Sequence, residues 1–253
     1  MNRKSVLITG ATRNTGYVTA QWFAKQGWAV FITSRKGADA ERAAKEISDE
    51  FGTPCYGIEY DTLNYNDAER LVEWVKEKGY VLDSLVLNAA AQGLNHNPLT
   101  VAADDWANVV LANVVGGFAL ARGFARQMID NNKPGTIVFL GSICYQDCNV
   151  DRSSYNASKG GILSLTKSLA VDFGQFGIRV NCLMPGPIYT DRYDKLDEET
   201  RQRRNALVPI GRVSTGEDVA GGVWFLATEL SGNMTGSGVI MDGGVDCINS
   251  GRY

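Results

Sequence analysis

Short apolar runs alternate along this chain with longer amphipathic stretches. The runs at residues 5–9, 29–34, 55–60, 84–88, 136–142, 179–184 and 239–241 predict strands. Between them, residues 39–51, 67–78, 104–131, 154–176 and 217–228 carry apolar positions at helical spacing. The strand runs are apolar almost throughout rather than alternating, the pattern of a parallel sheet covered on both faces. Regular strand–helix alternation, unbroken by linker, repeat or low-complexity segment, predicts one α/β domain over residues 1–253. Its expected architecture is a doubly wound, Rossmann-type parallel sheet of seven strands. Residues 191–204 depart from the rhythm, being dense in charges of both signs and bracketed by Pro185-Gly186-Pro187 and Pro209-Ile210-Gly211. They read as a solvated surface helix whose place after a strand's carboxyl end suits a substrate lid at about residues 187–210.

Composition narrows the partners. A net charge of −3 and a pI of about 5.3 argue against nucleic acid or an anionic membrane surface as the main partner. No run approaches the ~18 consecutive apolar residues of a membrane span. The start Met1-Asn2-Arg3-Lys4 enters a strand pattern at once, with no room for a signal peptide, so the expected location is cytoplasmic. Five scattered cysteines and a single histidine make a metal site unexpected, even with Cys144 and Cys148 spaced CxxxC, and free thiols are the expectation.

Candidate chemistry centres on Tyr155-Asn156-Ala157-Ser158-Lys159, with Ser142 thirteen residues upstream at the end of a strand run. Residues four apart on a helix share a face, which brings the Tyr155 phenol and the Lys159 ammonium together. A free tyrosine, with a pKa near ~10, is a sluggish acid or base at neutral pH, and a fixed positive charge nearby favours the phenolate. With a hydroxyl from Ser142, the set suits interconversion of a carbonyl and an alcohol.

A cofactor turn stands at the other end of the chain. Thr9-Gly10-Ala11-Thr12-Arg13-Asn14-Thr15-Gly16 follows the first strand and opens the first helix, so its backbone can approach a pyrophosphate seated on the helix N-terminus. The second strand ends Thr33-Ser34-Arg35-Lys36, with no acid until Asp39. An acid there would bind the ribose 2′-hydroxyl of NAD; Arg35, with Arg13 close by, favours the 2′-phosphate of NADP.

Taken in order, these motifs resemble the classical short-chain dehydrogenase/reductase family over essentially the whole length. Thr9-Gly10…Gly16 is similar to that family's TGxxxGxG turn. Asp61, with Thr62 beside it, matches the acid that contacts the adenine, and Asn88-Ala89-Ala90 stands where the family has NNAG. Asn113, Ser142, Tyr155 and Lys159 have the spacing of its catalytic residues. Pro185-Gly186-Pro187-Ile188-Tyr189-Thr190 resembles the PGxxxT segment beside the nicotinamide carboxamide, and Asp242-Gly243-Gly244 resembles the C-terminal signature. Two departures stand out: Asn14 replaces the middle glycine of the turn, and Leu87-Asn88-Ala89-Ala90 lacks the first Asn and last Gly of NNAG. Asparagine tolerates left-handed backbone and can cap a helix, which makes Asn14 a workable substitute.

The resemblance implies a mechanism in which hydride passes from the nicotinamide to a substrate carbonyl while Tyr155 protonates the oxygen. Ser142 would hydrogen-bond that oxygen, Lys159 would bind the nicotinamide ribose, and Asn113 would hold a water that resupplies the proton. It also implies a homotetramer or homodimer. The expected pocket loops, 91–98, 143–154 and 188–208, contribute Gln92, Asn95, His96, Gln146, Asp147, Asn149, Asp151 and Arg152 and few aromatics. Such polarity suits a sugar, polyol or keto acid. One alternative is a 3-oxoacyl-carrier-protein reductase, for which Lys133 offers one base while Phe176 stands where a second would be. Another is a catalytically silent NADP-sensing protein, against which the intact Ser142, Tyr155 and Lys159 weigh.

Overall fold

The computed structural model describes residues 3–248. Seven strands form one parallel sheet: β1 (Ser5–Ile8), β2 (Ala29–Ser34), β3 (Cys55–Glu59), β4 (Ser84–Leu87), β5 (Gly135–Leu140), β6 (Ile178–Pro185) and β7 (Gly238–Met241). Their spatial order is β3-β2-β1-β4-β5-β6-β7, so the chain reverses direction of growth between β1 and β4. At such a switch point the two flanking crossovers diverge and leave a crevice at the carboxyl ends of the strands.

Alternate residues of each strand enter opposite cores. Leu7, Phe31, Leu85, Ile137 and Val180 pack beneath α3 (Ala68–Glu77), α5 (Gly116–Asp130) and α6 (Ser153–Gly174) through Leu71, Phe124 and Ile162. Val6, Val30, Val86 and Val138 pack beneath α1 (Asn14–Lys25), α2 (Gly37–Phe51) and α9 (Gly216–Ala227) through Phe23, Ile47 and Val223. Burial on both faces is why the strand sequences lack polar alternation.

Three expectations need correcting. The strand leading to Ser142 ends at Leu140, and Ser142 instead caps a 3₁₀ turn, Ile143–Tyr145, its Oγ accepting the Cys144 N–H at 3.2 Å. The segment expected as one lid helix folds as two, α7 (Asp191–Asp194) and α8 (Glu198–Ala206), with Asp197 capping α8 by accepting the Thr200 N–H at 2.7 Å. The apolar helix spanning α4 (Ala103–Val110) to α5 is broken by a π-helical turn at Leu111–Val115. By length and composition Ala103–Asp130 could cross a membrane, but it is the central helix of the fold, with more than half of its most apolar window inside the protein.

Candidate active site

Each loop that matters leaves the carboxyl edge of the sheet. After β1 the chain turns at Gly10 (φ +64°) and Asn14 (φ +49°) into α1. Two side chains fix this turn: Asn88 Nδ2 donates to the Thr9 and Gly10 carbonyls at 2.9 and 3.2 Å, and Thr9 Oγ1 accepts the Ala89 N–H at 2.9 Å. Thr9 and Asn88 therefore tie β1 to β4. Gly16 is needed for the close approach, since a Cβ there would lie 2.6 Å from Asn88 Nδ2 and 2.7 Å from the Gly10 carbonyl. No side chain caps α1, which leaves its first-turn amides directed at the crevice. This cradle fits a dinucleotide pyrophosphate.

Asn14 does not cap the helix. Its Oδ1 accepts the Asp191 N–H at 3.0 Å and its Nδ2 donates to Asp191 Oδ2 at 3.2 Å. The residue that replaces a family glycine thus ties the start of α7 to the turn after β1 across 177 positions of sequence.

At the end of β2, Ser34 Oγ accepts the Lys36 N–H, and Arg35 is exposed. Among the described residues Arg13, Arg35 and Lys36 pair with no carboxylate. The fold also brings in an acid that chain order hides. Glu59 is in register with Ser34, and its Oε2 accepts the Gly37 N–H at 3.2 Å. After β3, Asp61 Oδ1 accepts the Leu63 N–H at 3.0 Å. Thr62 presses on Gly116, where a Cβ would meet its carbonyl at 2.4 Å.

Pro185 ends β6. Gly186 donates to the Met241 carbonyl at 3.1 Å, Ile188 bridges to Ser214, and Thr190 starts α7. Asp242 is buried because its carboxylate accepts the Gly244 and Asp246 N–H groups, folding the turn after β7. Ala89 and Ala90 stand half-buried after β4.

The candidate catalytic set lies on β5's exit and α6. Ser142 and Lys159 are buried, and Tyr155 is half-buried. Lys159 Nζ donates to the Leu140 carbonyl at 2.6 Å and sits 5.3 Å from the centroid of the Tyr155 ring. The expected pairing on one helix face is present. Beneath it Cys182 is deeply buried, and burial pushes its thiol up to about 11 despite the nearby Lys159 charge.

Asn113 lies in the π turn, where its side chain is fully engaged. Oδ1 accepts the Ala91 N–H at 2.7 Å, while Nδ2 donates to the Ala91 carbonyl at 3.0 Å and to Ser158 Oγ at 2.9 Å. The side chain therefore leaves no amide N–H for a water. Ser158, which donates in turn to the Tyr155 carbonyl at 2.7 Å, links Asn113 to the catalytic helix. Sequence reasoning passed over it, as a small residue between two conspicuous ones.

A dinucleotide cradle facing a serine, a tyrosine and a buried lysine is the layout of an enzyme that exchanges hydride between a nicotinamide and a carbonyl or alcohol. Comparison agrees. The family model described as Enoyl-(Acyl carrier protein) reductase matches residues 10–246. A 3-oxoacyl-[acyl-carrier-protein] reductase of Aquifex aeolicus is 32% identical over 244 residues, covering 96% of this chain and 97% of the relative. An L-rhamnose 1-dehydrogenase (NAD(P)(+)) of Azotobacter vinelandii is 33% identical over 249 residues, covering 96% of each. A crystal structure from Agrobacterium tumefaciens, described provisionally as a gluconate dehydrogenase, superposes with a TM-score of 0.90 at 25% identity over 97% of each chain. The chain belongs to the short-chain dehydrogenase/reductase family and is an oxidoreductase acting on CH–OH groups.

Proposed function

We propose that the protein interconverts a carbonyl and a secondary alcohol on a small polar substrate, using NADP(H), with Tyr155 as the proton donor and acceptor. The carrying observation is the Tyr155–Lys159 pair: a phenol at the crevice beside a buried cation that meets no carboxylate among the described residues. The bound nicotinamide would supply or take the hydride. Tyr155 gives its proton to the substrate oxygen in reduction and takes it back in oxidation. Lys159 stabilises the phenolate left behind, and its remaining N–H groups are available to the nicotinamide ribose. Ser142 Oγ hydrogen-bonds the same substrate oxygen as negative charge builds on it. Asn113 acts at one remove, fixing Ala91 and Ser158 around the pocket.

The preference for NADP rests on Arg13, Arg35 and Lys36, three cations free of carboxylate partners beside the ribose end of the cradle. Glu59 is held on the Gly37 amide and the nearby Asp39 pairs with Arg42, so neither neutralises them. Wild type is expected to bind NADPH at least tenfold more tightly than NADH. Arg35→Asp is expected to erase that ratio, about 1.4 kcal/mol for each factor of ten, by replacing a phosphate partner with a like charge. Fluorescence titration of both cofactors measures it; tighter NADH binding by wild type would overturn the assignment.

Sugar-active relatives and the polar loops favour a sugar, polyol or sugar acid over the carrier-protein alternative. Lys133, the base on which that alternative leaned, is spent on Asp83 at 2.9 Å and on the Val81 carbonyl at 2.6 Å. Turnover of a panel of keto-sugars against a short acyl-thioester separates the two. A cytosolic location and a homotetramer or homodimer, with exposed Phe118 and Val171 as contact candidates, complete the proposal.

A further inference from the structure

Tyr155 has a second cation on it. The Arg152 guanidinium carbon lies 4.4 Å from the ring centroid, nearer than Lys159 Nζ at 5.3 Å. Arg152 is half-buried and, among the described residues, makes no ion pair. Among the described residues its one hydrogen-bond acceptor is Gln92 Oε1, 3.1 Å from Nη2, and its buried Nε meets none. A guanidinium carries five N–H donors. The buried Nε forgoes a hydrogen bond at a cost, while the Nη donors beyond the Gln92 bond stand exposed, where solvent or a ligand can meet them.

The residue is also held still. His96 and Arg152 form an isolated β-bridge, the His96 N–H donates to the Asp151 carbonyl at 3.0 Å, and His96 Nδ1 lies 3.0 Å from Ser154 Oγ. Asp151 turns the chain in a left-handed conformation, φ +56°, and the Arg152 carbonyl accepts the Asn156 N–H at 2.9 Å in the first turn of α6. His96, expected as a polar residue of a pocket loop, fastens the two pocket loops together. A stacked, fastened guanidinium with an open edge is organised in advance for a planar, bidentate oxyanion.

We infer that Arg152 anchors the carboxylate of the substrate, so that the enzyme acts on short hydroxy or keto acids, sugar acids included, in preference to neutral sugars. The inference rests on Tyr155 being the reacting acid. Because guanidinium and phenol share one stack, a carboxylate on the fork leaves the reacting carbon only a few carbons away. An uncharged sugar would leave the guanidinium unpaired, which turns a missing interaction into discrimination.

The test compares aldonates, the uncharged aldoses and alditols of equal chain length, and sugar phosphates, with the full-length protein and NADP⁺. Wild type is expected to show at least about tenfold higher kcat/KM for the best aldonate than for its neutral partner. Arg152→Gln should lower aldonate kcat/KM about 100-fold, chiefly through KM, and the neutral partner's by less than tenfold; Arg152→Lys should recover part of the loss. Preference of wild type for neutral sugars or for sugar phosphates would overturn the inference. So would equal losses on acids and neutral sugars, since the guanidinium would then act only on Tyr155. Calorimetry of an aldonate binding to the NADP⁺ complex separates this inference from the catalytic reading. Weaker binding in Arg152→Gln supports the anchor even if no carbonyl in the panel is turned over, and unchanged affinity defeats it even if Tyr155 proves catalytic.

Discussion

Tyr155→Phe is expected to lower kcat/KM by at least about 10³-fold, since a positioned general acid contributes 10²–10⁴ and, among the described residues, no other phenol sits over Lys159. The substitution is a narrow one. Phenylalanine keeps the ring on which Arg152 stacks and over which Lys159 rests, and the Lys159–Leu140 hydrogen bond does not involve the hydroxyl. Only the transferable proton goes. NADPH affinity, measured by fluorescence, should stay within about threefold of wild type, because the substitution removes no charge and no backbone contact. The loss should appear in kcat and in kcat/KM alike. Oxidation of NADPH by the variant at the wild-type rate would mean that another group delivers the proton.

Lys159→Met should produce an unusual pairing of effects: activity lower by about 10²–10⁴-fold and a melting temperature unchanged or raised. The reason lies in where the charge is. Lys159 is 3% exposed, and no carboxylate pairs with it among the described residues. Its recorded hydrogen-bond acceptor is the Leu140 carbonyl. Burying an ammonium without a counter-charge costs several kcal/mol in principle, so a site like this is maintained against stability. Methionine matches the length and removes the charge. It orphans one carbonyl, a loss of about 1–3 kcal/mol that relief of the buried charge offsets. A calorimetric scan beside steady-state kinetics measures both. A sharply lower melting temperature with activity intact would make Lys159 a structural residue.

The sheet was legible because both its faces are buried: runs such as Ser84–Leu87 and Ile137–Leu140 are apolar at every position or nearly so, and each became a strand within a residue or two. The glycine turn was legible for a different reason. Gly16 and Gly10 stand where a side chain would strike Asn88 or Ala89, so their spacing carries a steric requirement. The break in the lid was readable but hidden among charges. Asp197-Glu198-Glu199-Thr200 contains a capping residue, yet the density of acids and bases on either side resembles one continuous solvated helix. What divides it is tertiary: Tyr193 and Leu196 turn inward onto Val208 and Val213. Contacts set by chain reversal had no local signal at all. Asn14 reaches Asp191, Glu59 reaches the start of α2, and Arg152 settles on Tyr155 through a loop bent at Asp151. Composition could place Arg152 in the pocket; only the fold put it on the Tyr155 ring.

Hydride transfer itself can be followed with isotopes. With the best substrate of the panel, reduction by NADPH carrying deuterium at both C4 positions, in ordinary water, should place one deuterium on the new carbinol carbon. Reduction by unlabelled NADPH in D₂O should place none on that carbon, because the proton relayed through Tyr155 goes to oxygen and exchanges. Mass spectrometry of the product reads both. Deuterium on the carbinol carbon from D₂O, or none from the labelled cofactor, would contradict the account.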